Sequence, residues 1–145
     1  MTQDAANDAD PGSDLALSGL RVLEVGSFVS APFAAKLLAD FGADVIKIEP
    51  PEGDPARRHG PFPDDEPHPE RSALFLALNT NKRSLSLDLD DSRGQDLFRR
   101  LAIGADAIIE NTPPGTMNER GLGWPELVES NRALVMTSVT PFGQT

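Results

Sequence analysis

Residues 21–49 read RVLEVGSFVSAPFAAKLLADFGADVIKIE, and the fold turns on how this stretch is parsed. RVLEVG (21–26) is a short apolar run closed by a glycine, the pattern of a buried strand. Ser30 stands where a helix cap belongs, and Pro32 suits the first helical turn. Phe33, Leu37 and Phe41 follow four apart on one face, and Gly42 offers the C-terminal stop. ADVIKIE (43–49) is then a second strand. A strand, a helix and another strand in close succession make a crossover unit, whose two strands run parallel.

Outward from this unit the alternation continues. Residues 50–72 carry seven of the thirteen prolines together with mixed charges, which predicts a long loop. A loop of that length in a compact domain is functional or disordered. SALFLAL (72–78) predicts a short helix, with a strand as the alternative. RSLSLDL (83–89) alternates strictly and predicts a third strand. Ser92 and Gln95 fit a capping box, opening a helix whose Leu97, Phe98 and Leu101 share a face before Gly104. ADAIIEN (105–111) predicts a fourth strand, PPGTMNERGLG (113–123) a turn and short helix, residues 125–131 another helix, and ALVMTSV (133–139) a fifth strand. The expected class is α/β, a parallel sheet flanked by helices. The sequence closes on TPFGQT directly after a strand, where a covering helix is the norm. An incomplete part of a larger domain is therefore expected.

The 145 residues include no cysteine, so disulfides and thiolate chemistry are excluded. A net charge of −10 argues against non-specific binding to nucleic acid or to an anionic membrane, both of which need a basic face. No apolar run reaches membrane-spanning length and no signal-peptide core is present, so a cytoplasmic location is the default. The opening MTQDAANDADPGSD holds four aspartates and no base. It buries too little apolar surface to offset ordering, and residues 1–16 are expected to be a disordered acidic tail. Residues 17–145 form the folded part.

Ligands of open α/β sheets bind beyond the carboxyl ends of the strands. GSFVSAP, EPPEGD, ENTPPGTM and TPFGQT are the four segments placed there, whereas NTNKRS (79–84) precedes its strand. The first tip has one glycine rather than G-x-G-x-x-G, so a conventional dinucleotide site is not expected, although Glu49 ends the second strand where an acid could bind a ribose. His59 and His68 lie in the proline-rich loop without metal-ligand spacing and read as solvated. No serine sits in a nucleophile elbow. Taken alone, Lys82, Arg83, Arg57, Arg58 and Arg120 read as solvated charges, and Asn111 as the cap of a turn.

Taken together, LSGLRVLEVGSFVSAPFAAKLLADFGADVIKIEPPEGD, LALNTNKRSLSLDL, ADAIIENTPPGTMNERGLGW and NRALVMTSVTPFGQT resemble the family III CoA-transferases. That group includes formyl-CoA transferase, the carnitine CoA-transferase and α-methylacyl-CoA racemase. The likeness covers Leu17 to Thr145. It implies a Rossmann-like large domain, of which this would be the N-terminal part, a small inserted domain, and two interlocked chains in a homodimer of the full-length protein.

The implied activity moves CoA from an acyl-CoA donor to a carboxylic acid. No cofactor would be bound permanently, and coenzyme A or acyl-CoA would be substrate. The transferases use an aspartate that attacks the thioester to give an anhydride, then an aspartyl thioester once the released thiolate returns. That aspartate is expected beyond Thr145, so no catalytic residue is assigned here and the 145 residues alone are expected to be inactive. Acyl-CoA epimerisation is the alternative within the family, and a non-catalytic acyl-CoA-binding domain the alternative outside it.

The resemblance carries CoA contacts to Ser27, Phe28, Val29 and Ser30 after the first strand, and to Asn81 and Lys82 before the third. Beyond the fourth strand it carries them to Asn111, Thr112, Pro113, Met117 and Arg120. An apolar slot suits adenine, and Lys or Arg suit phosphates. The chain departs from the family pattern in three places. ENTPPG replaces ENFRPG, Glu119 falls near the usual arginine, and Pro50 stands where formyl-CoA transferase has an arginine.

Overall fold

The computed structural model describes residues 15–144. Five parallel strands form one sheet: β1 (Arg21–Val25), β2 (Asp44–Glu49), β3 (Arg83–Ser86), β4 (Ala107–Glu110) and β5 (Val135–Ser138). Their spatial order is β3-β2-β1-β4-β5. The chain therefore steps outward from β1 to β2 and β3, then returns across to β4 on β1's other side. That reversal makes the β1/β4 boundary the switch point at which such sheets bind ligands. The helices are α1 (Ser30–Asp40), α2 (Ala73–Asn79), α3 (Ser92–Ile103), α4 (Thr116–Glu119) and α5 (Trp124–Ser130). No helix of the described residues is long and apolar enough to cross a membrane.

The strand alternation divides the core. Leu23, Ile48 and Ile108 face one way, onto Phe98 and Ala102 of α3 and Leu127 of α5. Val22, Val45 and Ile109 face the other way, onto α1. Helix α1 meets them through Ala31, Ala35 and Ala39, all buried. This corrects the expected face: Phe33, Leu37 and Phe41 are 48%, 42% and 56% exposed. Both stripes have helical period, and the alanines win the sheet because small side chains let the helix approach it closely. Helix α1 closes in a Schellman turn, with Gly42 at φ 102° and the Gly42 and Ala43 N–H groups bonded to Ala39 O and Leu38 O.

Two caps also differ from expectation. Ser30 lies inside α1, whose N-cap is Val29 with no side-chain bond. Helix α3 is capped by Asp91, whose carboxylate accepts from the Arg93 N–H, while Gln95 Nε2 donates to Leu89 O instead of closing a capping box. On α3, Phe98 is fully buried and Leu101 partly so, but Leu97 is 45% exposed. The α3 entrance needs Gly94, because a Cβ there would lie 1.7 Å from Asp88 O. That contact sets the path of residues 88–90 beside the switch point.

The proline-rich loop is ordered, with 3-10 turns at Pro55–Arg58 and Pro63–Asp65. Residues 72–78 are helical, as α2, with Ser72 as N-cap. Of the expected acidic tail, residues 1–14 lie outside the described region. Leu15 and Ala16 join a turn that packs over Gly42.

Candidate coenzyme A site

At the switch point the strand tips enclose a cavity of about 300 Å³. Ser27 and Pro50 border it from the tips of β1 and β2, Leu87 and Leu89 from the segment after β3, and Asn111, Thr112 and Pro113 from the tip of β4. Arg120, at the end of α4, closes the rim. Its Nη2 lies 2.7 Å and its Nε 2.9 Å from Asp90 Oδ1.

Asn111 ties the two central tips together. Its Oδ1 accepts from the Ser27 N–H at 2.9 Å, while Nδ2 donates to Ser27 O and to Ser30 Oγ, both at 2.9 Å. Ser30 therefore serves as acceptor for Asn111 rather than as a cap. The next residue, Phe28, takes φ 58°, a left-handed conformation that a bulky residue rarely adopts. Its N–H donates to Asp54 Oδ1 at 3.3 Å, and its ring meets His59 edge-on at 4.9 Å. Backbone strain of this kind, on the order of 1–3 kcal/mol, persists only where neighbours fix it.

Beneath that tip runs a chain of four buried charges, which residue-by-residue reading missed. Glu24 and Lys47 are register partners on β1 and β2, and Lys47 Nζ lies 2.7 Å from Glu24 Oε1. Lys47 also donates to Gly26 O at 2.8 Å. It sits 2.8 Å from Asp54 Oδ2 in an ion contact off the hydrogen-bond axis. Lys82 approaches Glu24 from the other side, 2.6 Å from Oε2. Two lysines and two carboxylates thus alternate as Lys82–Glu24–Lys47–Asp54, and buried charge is tolerated only in such pairing. The signal was present in RVLEV and DVIKIE, where Glu24 and Lys47 occupy core-facing phases of apolar strands.

A second clamp holds the long loop. Arg57 binds Glu49 with two bonds, Nε to Oε2 at 2.7 Å and Nη2 to Oε1 at 2.8 Å. Asp54 N–H and Ser84 Oγ complete the carboxylate's shell. Burial would raise the Glu49 pKa, but the Arg57 bonds and the other donors outweigh it and hold it at about 2. The Arg57 guanidinium also stacks 3.7 Å over the Phe75 ring. Glu49 is thereby engaged by its own loop.

A neighbouring cavity of about 270 Å³ lies between β4, α4, α5 and β5, bordered by Glu110, Met117, Trp124 and Met136 and sharing Thr112 and Pro113 with the first. Glu110 is buried and receives the Thr112 N–H and Oγ1–H on Oε2, both at 2.6 Å. It too was not singled out from sequence.

Of the residues assigned to CoA contacts, Ser27, Asn111, Thr112, Pro113 and Arg120 meet at the first cavity. Phe28, Val29 and Ser30 are exposed on the same tip, just outside it. Met117 is buried against the second cavity. Asn81 lies at the far end of α1, donating to Asp40 Oδ1 at 2.8 Å. The Lys82 side chain is 1% exposed, and its ammonium donates to Glu24, to Pro32 O at 2.7 Å and to Asn79 Oδ1 at 2.8 Å. Burial lowers its pKa, opposed by Glu24. Arg83 pairs with Asp44 on the surface. His59 and His68 make only loop contacts besides the Phe28 edge. Among the described residues no group of three or more histidines or carboxylates could hold a metal ion.

A family model described as CoA-transferase family III matches residues 17–145. The chain is 46% identical over 130 residues to succinyl-CoA–D-citramalate CoA-transferase of Chloroflexus aurantiacus, covering 89% of this chain and 31% of that protein. It is 43% identical over 132 residues to the α subunit of succinyl-CoA–L-malate CoA-transferase of the same organism, covering 90% and 30%. Among solved structures, a CAIB/BAIF family protein from Brucella suis superposes with a TM-score of 0.82 at 39% identity, over 90% of this chain and 35% of that one. The chain thus spans about a third of the length of the proteins it matches.

Proposed function

We propose, from the premise that the chain belongs to the CoA-transferase family III, that the cavity at the β1/β4 switch point holds coenzyme A. The full-length protein then moves CoA from an acyl-CoA donor to a carboxylic acid. One observation carries this reading: five of the residues that the resemblance marks for CoA, drawn from three separate segments, border a single cavity. The apolar walls from Leu87, Leu89 and Pro50 suit the adenine, and the exposed Phe28–Ser30 tip, held in place beside the cavity, presents its side chains to the ligand. Succinyl-CoA as donor is supported by the names of both Chloroflexus relatives.

In this reading the chain's residues bind and orient rather than react. Asn111 fixes the spacing of the two tips. Asp54 holds the Phe28 N–H, and Lys47 holds Asp54. Lys82, with its donors already engaged, acts by locking Glu24 to the first turn of α1 and not by a direct phosphate contact. The nucleophile is an aspartate outside these 145 residues, and the full-length protein is a homodimer.

The test is an exchange assay on the full-length protein with succinyl-CoA and a panel of dicarboxylic acids, read as new acyl-CoA by chromatography, alongside calorimetry with CoA. New thioester and saturable CoA binding are expected. A folded protein that binds no CoA would sink the reading.

A further inference from the structure

The cavity that the CoA reading assigns to a polyanion has an unfavourable charge. Among the described residues that border it, Arg120 is the one cation, and Asp54, Asp88 and Asp90 are carboxylates. Asp54 is neutralised from below by Lys47. Asp88 Oδ1 accepts from the Asp90 N–H, which keeps it within the turn over Gly94. Asp90 is 77% exposed at its side chain, yet its Oδ1 accepts a hydrogen bond from Arg120 Nε and lies in ion contact with Nη2, and the Arg120 side chain is only 25% exposed. The rim cation is therefore engaged before any ligand arrives, and Pro50 on the opposite tip supplies no second one.

We propose that Asp90 is a specificity-determining residue: by holding Arg120 it withholds that cation from the ligand's phosphates, so the site selects the uncharged part of CoA and discriminates little on phosphate charge. This rests on the CoA reading above and adds which part of the ligand supplies affinity. The alternative role for Asp90 is to aim Arg120 at a phosphate. The two differ in sign, because an aiming carboxylate strengthens phosphate binding and a competing one weakens it.

Geometry favours competition. The guanidinium edge that a phosphate would use is turned onto one carboxylate oxygen, with Nε donating to it and Nη2 in ion contact, and an exposed ion pair of this kind changes affinity by a few fold when released.

Calorimetry on the full-length protein with CoA and dephospho-CoA, which differ by the 3′-phosphate, tests this in the wild type and in Asp90→Asn. The wild type is expected to bind the two ligands within about fivefold of each other, and Asp90→Asn to bind CoA about threefold more tightly or better. A wild-type preference for CoA above about fivefold overturns the proposal while leaving the CoA reading intact. So does an Asp90→Asn protein whose CoA affinity is unchanged or lower. Failure of the wild type to bind either ligand overturns the CoA reading itself and this proposal with it. Asp90 is exposed, so loss of folding is not expected; circular dichroism checks it.

Discussion

Glu24 and Lys47 face each other across β1 and β2 as register partners and are also each other's counter-ion, with Nζ 2.7 Å from Oε1. Both side chains are at most 2% exposed, on the sheet face that Val22, Val45 and Ile109 turn towards α1. The pair adds no surface charge for a ligand to feel. Its output is positional, because Lys47 holds Asp54, and Asp54 holds the strained Phe28 N–H at the β1 tip.

Lys47→Met is therefore expected to lower folding stability by about 3–5 kcal/mol, since it leaves Asp54 without a counter-ion and Glu24 with Lys82 alone. Urea titration followed by circular dichroism measures this. A loss below about 1 kcal/mol would mean that the two carboxylates are satisfied by other means.

Glu49 gives the fold an acid limit. Its carboxyl has a pKa near 2 in the folded chain against an ordinary 4.5, so the unfolded chain binds the proton more readily between those values. The stabilisation is complete above pH 4.5 and is lost as pH falls towards 2. It amounts to at most about 3 kcal/mol, reduced by whatever screening solvent gives the Arg57 pair. Urea midpoints taken from pH 6 down to 2.5 should fall steeply in the wild type and less steeply in Glu49→Gln. Parallel slopes would remove Glu49 from the account.

The order of strands and helices was legible because each depends on local period and punctuation. RVLEV, DVIKIE and AIIE carry apolar runs, and Gly42 and Ser72 stop or start helices where the residues place them. The reversal after α3 could not be read, because nothing local to ADAIIEN says that it returns to β1. Lys82 shows the same limit at the site. A lysine in a polar turn reads as solvated or ligand-bound, and what buries it is Glu24, 58 residues away. Asp90 likewise gained meaning only when the fold brought Arg120 to it, 30 residues on.

The inverted face of α1 makes a separate prediction. Leu37 is 42% exposed, while Ala35 beside it is fully buried. Leu37→Glu in the 145-residue chain is expected to change stability by about 0.5 kcal/mol or less, as for an ordinary surface position. Ala35→Leu is expected to cost about 1–3 kcal/mol by overpacking against the sheet. Thermal unfolding of the two variants separates them, and the reverse order would restore the phenylalanine stripe as the core face.

Asn111 offers the sharpest test of how the tips make the site. Its amide bonds Ser27 twice and Ser30 once across the switch point, and it borders the cavity. Each neutral bond of this kind contributes about 0.5–1.5 kcal/mol, and the energy is shared between folding and the spacing of the two tips. Asn111→Ala in the full-length protein should weaken CoA binding about tenfold, with a stability loss of about 1–3 kcal/mol. Asn111→Asp keeps the acceptor for the Ser27 N–H but removes the donor to Ser27 O and Ser30 Oγ, and it brings a negative charge to the cavity edge. It should therefore bind CoA more weakly than the alanine variant at low salt and approach it as salt screens the charge. Calorimetry at two ionic strengths reads both effects. Equal affinity for all three proteins would mean that CoA does not lie between these tips.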